Sequence, residues 1–350
     1  MVVSALLLIL SFAANRIDPK TITVLAYFAF AFPYLLILNV VIAIIALFSL
    51  RWYVIFPLIA IFLNYHNIQT MIAFNDASAH QDTTSIRVMS YNVNLFNHFG
   101  KRTANAVTTE ELLAYIHEKE PDVICFQEFS DHRQMQPITK FLSNTVGLRY
   151  FSQCRSNQSI LFGNVIASRY PIIHDSLILF TKSKNHIVFA DIVIRKDTFR
   201  FFNFHLESFR LEQEHDQFYD QILHSPTVKA DQLERNTRNF LRTINQALVK
   251  RTKQSKLLAE LIAQSPYPTV VCGDLNDPAT SYTYRIISQA LTDSFVARGT
   301  GFGTTYNGRY PAFRIDYILF SKFLVCDEFQ TLRIPYSDHY PVLSVLHPVH

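Results

Sequence analysis

Six polar motifs are spaced along this 350-residue chain, and each stands in or just after a short apolar run. In chain order their polar residues are Asn92, Glu128, His205, Asp274 with Asn276, Asp316, and Asp338 with His339. Short apolar runs predict strands, so these side chains fall at strand ends, where a sheet can present them together. Carboxylates, amides and imidazoles are the groups that a divalent metal, a phosphate and an activated water need. The pattern therefore indicates metal-dependent chemistry on a phosphoester.

The most compact motif is Asp274-Leu275-Asn276, which follows an apolar run and Gly273. Two side chains at positions i and i+2 of an extended segment point to the same face. The acid and the amide can therefore hold a water and a phosphate oxygen side by side. A plain turn is the alternative interpretation of this motif taken alone.

Asp316 and the pair Asp338-His339 offer one histidine two carboxylate partners. A carboxylate partner fixes the tautomer of a histidine and raises its basicity. Because Asp338 is adjacent to His339 in the chain, we assign the partner role to Asp316 and leave Asp338 free. Glu128 supplies another anionic oxygen, and oxygen ligands suit Mg²⁺ or Mn²⁺ rather than zinc. Each residue alone is more commonly a solvated polar group, so the prediction depends on the ordered set.

Residues 1–74 differ in composition from the rest of the chain, because they hold three cations and one anion, and residues 21–50 hold no charge. About 20 apolar residues are enough to cross a bilayer. Residues 52–74 and 1–15 are also apolar, although a buried core helix or a signal sequence is the alternative. Residues 1–15 would rise only ~22 Å as a helix, which is shorter than the ~30 Å hydrocarbon core of a bilayer. We therefore expect the native start to lie upstream. We predict a membrane region at 1–74 with two to three transmembrane helices.

A polar linker is predicted at 75–85, and a soluble catalytic domain with a large core at 86–347. Residues 75–350 have a formal charge of only +2, since three of the 32 cations and one of the 28 anions precede them. Nonspecific nucleic-acid binding usually needs a strong basic excess, so this near neutrality gives little support to a nuclease. The chain has no GxxxxGKS/T or GxGxxG motif, which argues against a nucleotide cofactor. The four cysteines show no CxxC spacing, and we expect Cys125 and Cys272 to be buried and free.

Strands and helices alternate in the predicted catalytic domain, which is typical of an α/β or α+β fold built in layers. A helix is predicted at 108–120, and a long helical insert at 207–264 is interrupted only by Pro226. A hairpin is predicted with its turn at Lys196-Asp197. The runs with a strand pattern are 86–92, 123–126, 164–168, 186–195, 199–205, 269–272, 315–320 and 342–346.

The helical insert carries a basic cluster, which consists of Lys250, Arg251, Lys253 and Lys256. One interpretation is a solvated helix face. The sharper interpretation is a basic surface that meets anionic lipid headgroups or the phosphate of a substrate.

Together the motifs resemble those of the endonuclease/exonuclease/phosphatase superfamily. They are Tyr91-Asn92, Gln127-Glu128, Asn203-Phe204-His205, Asp274-Leu275-Asn276, Arg314-Ile315-Asp316 and Ser337-Asp338-His339. The resemblance covers roughly residues 86–347 and is strongest to bacterial membrane-anchored members. It implies a four-layer sandwich of two packed mixed β-sheets flanked by helices, preceded here by N-terminal transmembrane helices. The site would lie at one end of the sandwich.

The resemblance also implies roles in metal and substrate binding. Glu128 corresponds to the main ligand of Mg²⁺ (or Mn²⁺), with Asn92 beside it and Asp338 near the metal. Substrate contacts are implied for Asn92, Asn276 and His205. Many repair endonucleases have an aspartate where this chain has Asn94, which weakens the case for a second acidic ligand and for DNA repair.

Catalytic roles follow from the same resemblance. Asp274 and Asn276 would orient the attacking water and the phosphate. His339, paired with Asp316, would act as general base or would stabilise the phosphate charge, since members are described in both ways. His205 corresponds to a second histidine that contacts phosphate or protonates the leaving oxygen.

The leading hypothesis is a membrane-anchored phosphodiesterase or phosphatase acting on a lipid headgroup or another substrate near the bilayer. A membrane-tethered nuclease is the first alternative, and a non-catalytic binding module on the same fold is the second. We expect a multi-pass protein of the cell membrane with its catalytic domain outside the cytoplasm. The positive-inside rule mildly opposes that orientation, because residues 16–20 carry two cations and the next loop carries only Arg51.

Overall fold

A computed structural model of the chain describes residues 1–75, 84–97, 107–131, 138–152, 162–209, 230–308 and 313–349. The N-terminal part is a bundle of apolar helices. Its helices are α1 (Val2–Ala14), α2 (Thr23–Phe48), α3 (Ile55–Leu63), which follows a short 3₁₀ helix at Trp52–Val54, and α4 (Tyr65–Met71).

Amide side chains hold this bundle together. Asn39 Nδ2 on α2 donates to Ser4 O at 3.0 Å, and Asn64 Nδ2 donates to Leu8 O at 3.0 Å. Both asparagines are fully buried. Apolar surface gives helices little reason to associate in lipid, so hydrogen bonds and close packing are what join helices there.

One helix of the bundle is long and apolar enough to cross a membrane. This is α2, with 26 residues, none of them charged. Trp52–Leu63 and Tyr65–Met71 meet at a bend of 57° and pass the same test only if they are taken as one broken span, whereas Val2–Ala14 is apolar but shorter. The predicted count of two to three spans therefore stays a prediction.

Two mixed sheets form the predicted catalytic domain (the catalytic part), and each has a central parallel pair. The first sheet consists, from edge to edge, of β13 (Leu324–Thr331), β14 (Val342–Pro348), β2 (Ile86–Asn92), β3 (Val123–Ser130), β5 (Phe162–Ser168) and β4 (Tyr150–Phe151). The second consists of β10 (Thr292–Asp293), β12 (Asp316–Phe320), β9 (Thr269–Asp274), β8 (Asp197–His205), β7 (His186–Ile194) and β6 (Ile172–Leu179). The parallel pairs are β2–β3 and β8–β9.

The sheets pack face to face, and helices cover them. The helices are α5 (Thr109–Glu118), α6 (Ile138–Phe141) with a wider helical turn at Leu142–Val146, α7 (Ala230–Ala263), α8 (Tyr282–Ser288) and α9 (Ser294–Arg298). Phe201 of β8 joins Cys125 of β3 in the core between the sheets. The alternate side chains Phe202 and Phe204 face the other way and pack with Leu258 of α7. The predicted sandwich of two mixed sheets flanked by helices is confirmed.

Most predicted elements are present, with shifts at their ends. The helix predicted at 108–120 is α5, and a capping box between Thr108 and Glu111 fixes its start. The hairpin of β7 and β8 turns one residue earlier than predicted, at Arg195-Lys196, where Arg195 has a φ of 58°. Helix α7 confirms the helical character of the insert, whereas its predicted break at Pro226 lies outside the described residues.

Two long strands have no counterpart in the sequence prediction. Within the described residues, strand β6 lies at the edge of its sheet and pairs with β7 alone. Its side chains are partly or fully exposed, so its sequence lacks an alternating apolar face. Strand β13 is also at an edge, and a bulge between Cys326 and Glu328 interrupts its alternation.

The chain leaving the bundle is bound to the catalytic part. Strand β1 (Ala73–Phe74) pairs antiparallel with β11 (Thr300–Gly301). Asn75, the first residue of the predicted linker, donates from Nδ2 to Gly299 O at 3.1 Å. The polypeptide is thus tied to the domain directly after α4.

Replacing Phe201 with alanine is expected to lower the free energy of unfolding by about 3–5 kcal/mol, because it opens a cavity between the two sheets. Phe201 is fully buried in the core. Phe302, which is 62% exposed, is the matched control, and its alanine variant should change the free energy by less than about 0.5 kcal/mol. Urea unfolding monitored by circular dichroism measures both, and equal losses would contradict the assigned core.

Candidate active site

The predicted site residues lie at one edge shared by the two sheets. Asn92 and Glu128 stand at or near the C-terminal ends of the parallel strands β2 and β3. His205 and Asp274 end the parallel strands β8 and β9 in the second sheet, where they are register partners. Asp316 begins the antiparallel strand β12 directly opposite Asp274. Side chains scattered along the sequence therefore converge because of strand direction.

A buried pair of amides connects the two sheets behind this edge. Gln127 Nε2 donates to Asn203 Oδ1 at 2.8 Å, and Asn203 Nδ2 donates to Phe126 O at 2.7 Å. Both amides are fully buried. The pair fixes the positions of the following residues, so that Glu128 Oε1 lies 3.7 Å from His205 Nδ1.

Asn92 links the carboxylates of the two sheets. Its Nδ2 donates to Asp274 Oδ2 at 3.1 Å and to Glu128 Oε1 at 3.3 Å. Its Oδ1 accepts the backbone N–H of Asn94 at 3.1 Å. In this arrangement the amide orients the two carboxylates, and its oxygen is occupied by the backbone.

Asp274 is the centre of the cluster and is almost completely buried. Its Oδ2 lies 3.5 Å from His205 Nε2 and 3.8 Å from His339 Nε2. The backbone N–H of Asn276 donates to Asp274 Oδ1 at 2.7 Å. Burial raises the pKa of Asp274, although the neighbouring imidazoles of His339 and His205 act against that rise.

His339 and Asp316 form the pair that the sequence predicts. His339 Nδ1 lies 2.9 Å from Asp316 Oδ2, and both residues are buried. Burial alone would lower the pKa of His339, but the carboxylates of Asp316 and Asp274 outweigh it and raise that pKa well above the usual value. The two carboxylates therefore favour the charged form of the imidazole.

Asp338 joins the cluster from its other side. Asn94 Nδ2 donates to Asp338 Oδ1 at 3.1 Å, and Ser337 Oγ donates to the same oxygen at 3.1 Å. Ser337 Oγ is also 2.9 Å from Asn92 O. An aspartate at position 94 would supply a second acidic ligand. Asn94 instead holds Asp338 in place through its hydrogen bond.

The backbone at the site is unusual at the functional residues themselves. Glu128 has a φ of 51° at a bulge in β3, and Asn276 has a φ of 52° after β9. Non-glycine residues in this region cost about 1–3 kcal/mol each and concentrate at active sites. Gly273 is required for close approach, since a Cβ there would lie 2.2 Å from Phe204 O.

The oxygen-rich donor set fits a hard divalent cation. Ligand atoms of Asp274, Asp316 and His339 lie within 4.8 Å of one another, which is close enough to hold an ion. However, His339 already bonds to Asp316 through Nδ1, which leaves only its Nε2 for an ion. Glu128 is an accessible carboxylate, since its side chain is 34% exposed. Asp338 is also partly exposed and is bonded to Asn94.

One feature of the site was not found from the sequence. Tyr306 packs the edge of its ring against His339, with the ring centroids 5.4 Å apart. Its segment has no pattern that would place it there, so no sequence signal indicates this contact.

The basic cluster of the insert is divided by the fold. Arg251 is fully buried and lies 3.0 Å from Asp277, behind the site. Lys250 and Lys256 each form an ion pair with a carboxylate. The four residues therefore do not form the continuous basic surface that was one of the two interpretations.

Comparison with known proteins agrees with this geometry. The profile of the Endonuclease/Exonuclease/phosphatase family matches residues 89–339, and that of a domain of unknown function (DUF8431) matches residues 1–71. No curated protein matches the sequence.

Several solved structures share the fold. An endonuclease/exonuclease/phosphatase family protein of Bacteroides thetaiotaomicron has 15% identity and a TM-score of 0.52 over 77% of this chain and 100% of its own. The human Nocturnin catalytic domain with bound sulfate has 18% identity and a TM-score of 0.51 over 79% and 98%. D. rerio TDP2 complexed with single-strand DNA product has 16% identity and a TM-score of 0.51 over 76% and 100%. At these identities the likeness shows the fold.

Proposed function

This chain belongs to the endonuclease/exonuclease/phosphatase family, and from that premise we propose that it is a membrane-anchored phosphoester hydrolase dependent on Mg²⁺ or Mn²⁺. Its substrate is a lipid headgroup or another phosphodiester close to the bilayer. Water attacks the phosphorus in line with the leaving oxygen.

The observation that carries this proposal is the contact between helix α2 and the segments next to the site. Thr280, four residues after Asn276, donates from Oγ1 to Ala29 O on α2 at 2.7 Å. Phe313, three residues before Asp316, packs against Phe30 of α2 in an edge-to-face arrangement, with the ring centroids 5.7 Å apart. Because the apolar helix α2 is bound to these segments at the rim of the site, the rim stays next to the bilayer that α2 enters.

The remaining part of α2 has the surface expected of a lipid contact. Beyond the segment that meets the catalytic part, Tyr34, Ile37, Ile45 and Phe48 are 58%, 63%, 56% and 87% exposed. Residues 34–48 extend about 22 Å as a helix, which is most of a hydrocarbon core of about 30 Å. Exposed apolar surface of this extent marks a membrane or partner contact.

Glu128 is the proposed metal ligand, with Asn92 and Asp338 as its neighbours. A bound Mg²⁺ supplies neutralisation of the charge that develops on the phosphoryl oxygens. Asn92 keeps the carboxylates of Glu128 and Asp274 oriented through its two hydrogen bonds. These two hydrogen bonds keep both carboxylates on the side of the site where Glu128 would bind the ion.

The other residues act on the water and the phosphate. Asp274, fixed by the N–H of Asn276, accepts a hydrogen bond from the attacking water. His339, held as an imidazolium by Asp316, stabilises the phosphate charge from the opposite side of Asp274. His205, between Glu128 and Asp274, is placed to donate to a phosphoryl or leaving oxygen.

The pH dependence of the reaction tests the form of His339. With an imidazolium as the active form, kcat/KM should fall as the pH rises through the raised pKa of His339. Asp316→Asn removes the neighbouring carboxylate and lowers that pKa, so the loss of activity should move to lower pH. A pH profile of both proteins on a soluble phosphodiester measures the shift. Activity that increases with pH through this limb would instead make His339 a general base.

The proposed function is tested by reconstituting the full chain in lipid nanodiscs with Mg²⁺ or Mn²⁺. Phospholipids, sphingolipids, inositol phosphates and DNA are supplied, and phosphate and headgroup release are measured. Hydrolysis of a lipid headgroup that exceeds hydrolysis of DNA, and that is lost in His339→Ala, is expected. Failure to cleave any phosphoester with either metal would overturn the proposal.

The tethered nuclease is the second candidate, because a structure with this fold holds a single-strand DNA product. The divided basic cluster gives it little support, and salt-dependent DNA cleavage would favour it. A non-catalytic binding module would lack a main site residue, whereas every predicted position is filled. The extracytoplasmic placement of the domain stays a prediction, and a reporter fused at the C-terminus that was active only in the cytoplasm would refute it.

A further inference from the structure

Arg314 connects the apolar bundle to the catalytic dyad. It stands two residues before Asp316, and its side chain is buried. Its Nη2 donates to Thr70 O, near the end of α4, at 2.8 Å. Its Nη1 lies 2.8 Å from Asp293 Oδ2. A single side chain therefore touches the last helix of the bundle while its backbone leads directly into the residue that holds His339.

Aromatic rings fix this guanidinium in one position. Arg314 Cζ lies 4.5 Å from the ring centroid of Phe295 and 4.5 Å from that of Tyr317. Tyr317 OH also donates to Arg314 O at 2.7 Å and lies 3.0 Å from Asp277 O. A planar group held by two rings and a carboxylate has little freedom to move independently of the segment that follows it.

A second contact joins the bundle to the other flank of the site. Thr280 Oγ1 donates to Ala29 O on α2, and Thr280 is buried. The segment from Asn276 to Thr280 follows β9, which carries the central aspartate. The bundle therefore contacts both of the chain segments that flank the paired strands β9 and β12.

We propose that the bundle of residues 1–71 is a positioning element of the catalytic part, in addition to its role as an anchor. It holds the segment after Asn276 through Thr280 and the segment before Asp316 through Arg314. A tether requires only a covalent connection, whereas these contacts end inside the domain on residues next to the site. The inference goes beyond membrane anchoring and holds for soluble substrates as well as for lipids.

The test uses the full chain in detergent micelles and a water-soluble probe, bis(4-nitrophenyl) phosphate. Arg314→Lys keeps a cation opposite Asp293 but cannot reproduce the planar contacts to Thr70 O and the two rings. Thr280→Val removes the other contact. Arg200→Lys is the matched control, because Arg200 also forms an ion pair, partly buried and with two bonds of 2.7 and 2.8 Å to Asp191, away from the site.

Arg314→Lys and Thr280→Val are each expected to lower kcat on the order of 10-fold with KM unchanged, because small displacements of catalytic groups have effects of that size or larger. Arg200→Lys should leave both constants close to the wild-type values at a similar loss of thermal stability. Backbone hydrogen exchange of residues 315–320 should become faster in Arg314→Lys and stay unchanged in the control.

The exchange measurement needs no substrate, so it separates this inference from the proposed function. If the wild type cleaves no phosphoester, the proposed function fails, and faster exchange at residues 315–320 in Arg314→Lys still supports positioning by the bundle. Unchanged exchange together with unchanged kcat in both variants would overturn the inference. A loss of kcat in Arg200→Lys equal to that in Arg314→Lys would overturn it as well, since the effect would then be one of general stability.

Discussion

Replacing His339 with alanine is expected to lower kcat by about 10²–10⁴-fold, the range that a positioned acid–base or charge-stabilising group supplies. The effect is large because His339 bonds to Asp316 at 2.9 Å and approaches Asp274 at 3.8 Å, so it lies at the centre of the carboxylates. KM should change less than kcat, because the charge that it stabilises develops in the transition state. Steady-state kinetics on a phosphodiester with saturating Mg²⁺ measures both constants.

The chain offers a matched control for this variant. His347 lies 2.7 Å from Asp327, and this histidine–aspartate pair is at the far end of β14 from the site. His347→Ala removes the same kind of pair without touching the site, and kcat should stay close to the wild-type value. Wild-type turnover by purified, folded His339→Ala would contradict the assigned role, as would an equal loss of turnover in both variants.

The positions of the site residues could be predicted because strand direction and apolar patterning are local properties of the sequence. Each of Asn92, His205 and Asp274 ends an apolar run, and each ends a strand in the structure. Parallel pairing of the strands then brings their C-terminal ends to one edge. The pairing of His339 with Asp316 was also predicted, because Asp338 could not easily be both the partner of its neighbour His339 and a metal ligand, and the structure has this pair.

Other features depend on contacts between distant segments and have no local signal. Its position in the sequence places Arg251 in a basic cluster with three lysines. In the structure it is fully buried and lies next to Asp277. From the sequence, Asn94 only indicates that a second acidic ligand is missing, whereas in the structure its amide donates a hydrogen bond to Asp338. The positive φ of Glu128 arises at a bulge, and a bulge depends on the partner strand.

The contacts between the bundle and the catalytic part belong to the same class. Thr280 and Arg314 bond to backbone carbonyls more than 240 residues away. Backbone carbonyls are present at every residue, so no pattern in residues 1–74 could indicate which of them accepts a bond. Composition predicts a division of the chain into an apolar and a more polar part, but it contains no information on how closely the two parts are joined.

Replacing Glu128 with glutamine is expected to weaken the binding of Mn²⁺ by at least about 10–100-fold. Losses of that size are typical even when the mutated residue only hydrogen-bonds to a metal ligand. Glutamine keeps the size of the side chain and its contact to Asn92, so the variant changes mainly the charge that the cation requires. Electron paramagnetic resonance of free Mn²⁺ measures the affinity without substrate. Turnover at low Mg²⁺ should fall in parallel and recover partly as Mg²⁺ is raised, because the other carboxylates remain.

The matched control for Glu128→Gln is Glu118→Gln, an exposed carboxylate on α5 that pairs only with the neighbouring Lys119 among the contacts described. Its Mn²⁺ affinity should equal that of the wild type. Asp316→Asn distinguishes the two possible ion positions, because an ion held by Asp274, Asp316 and His339 would lose affinity in this variant and one held at Glu128 would not. Mn²⁺ affinity that is lost in Asp316→Asn and retained in Glu128→Gln would place the metal on the dyad and refute the assignment of His339 as an imidazolium.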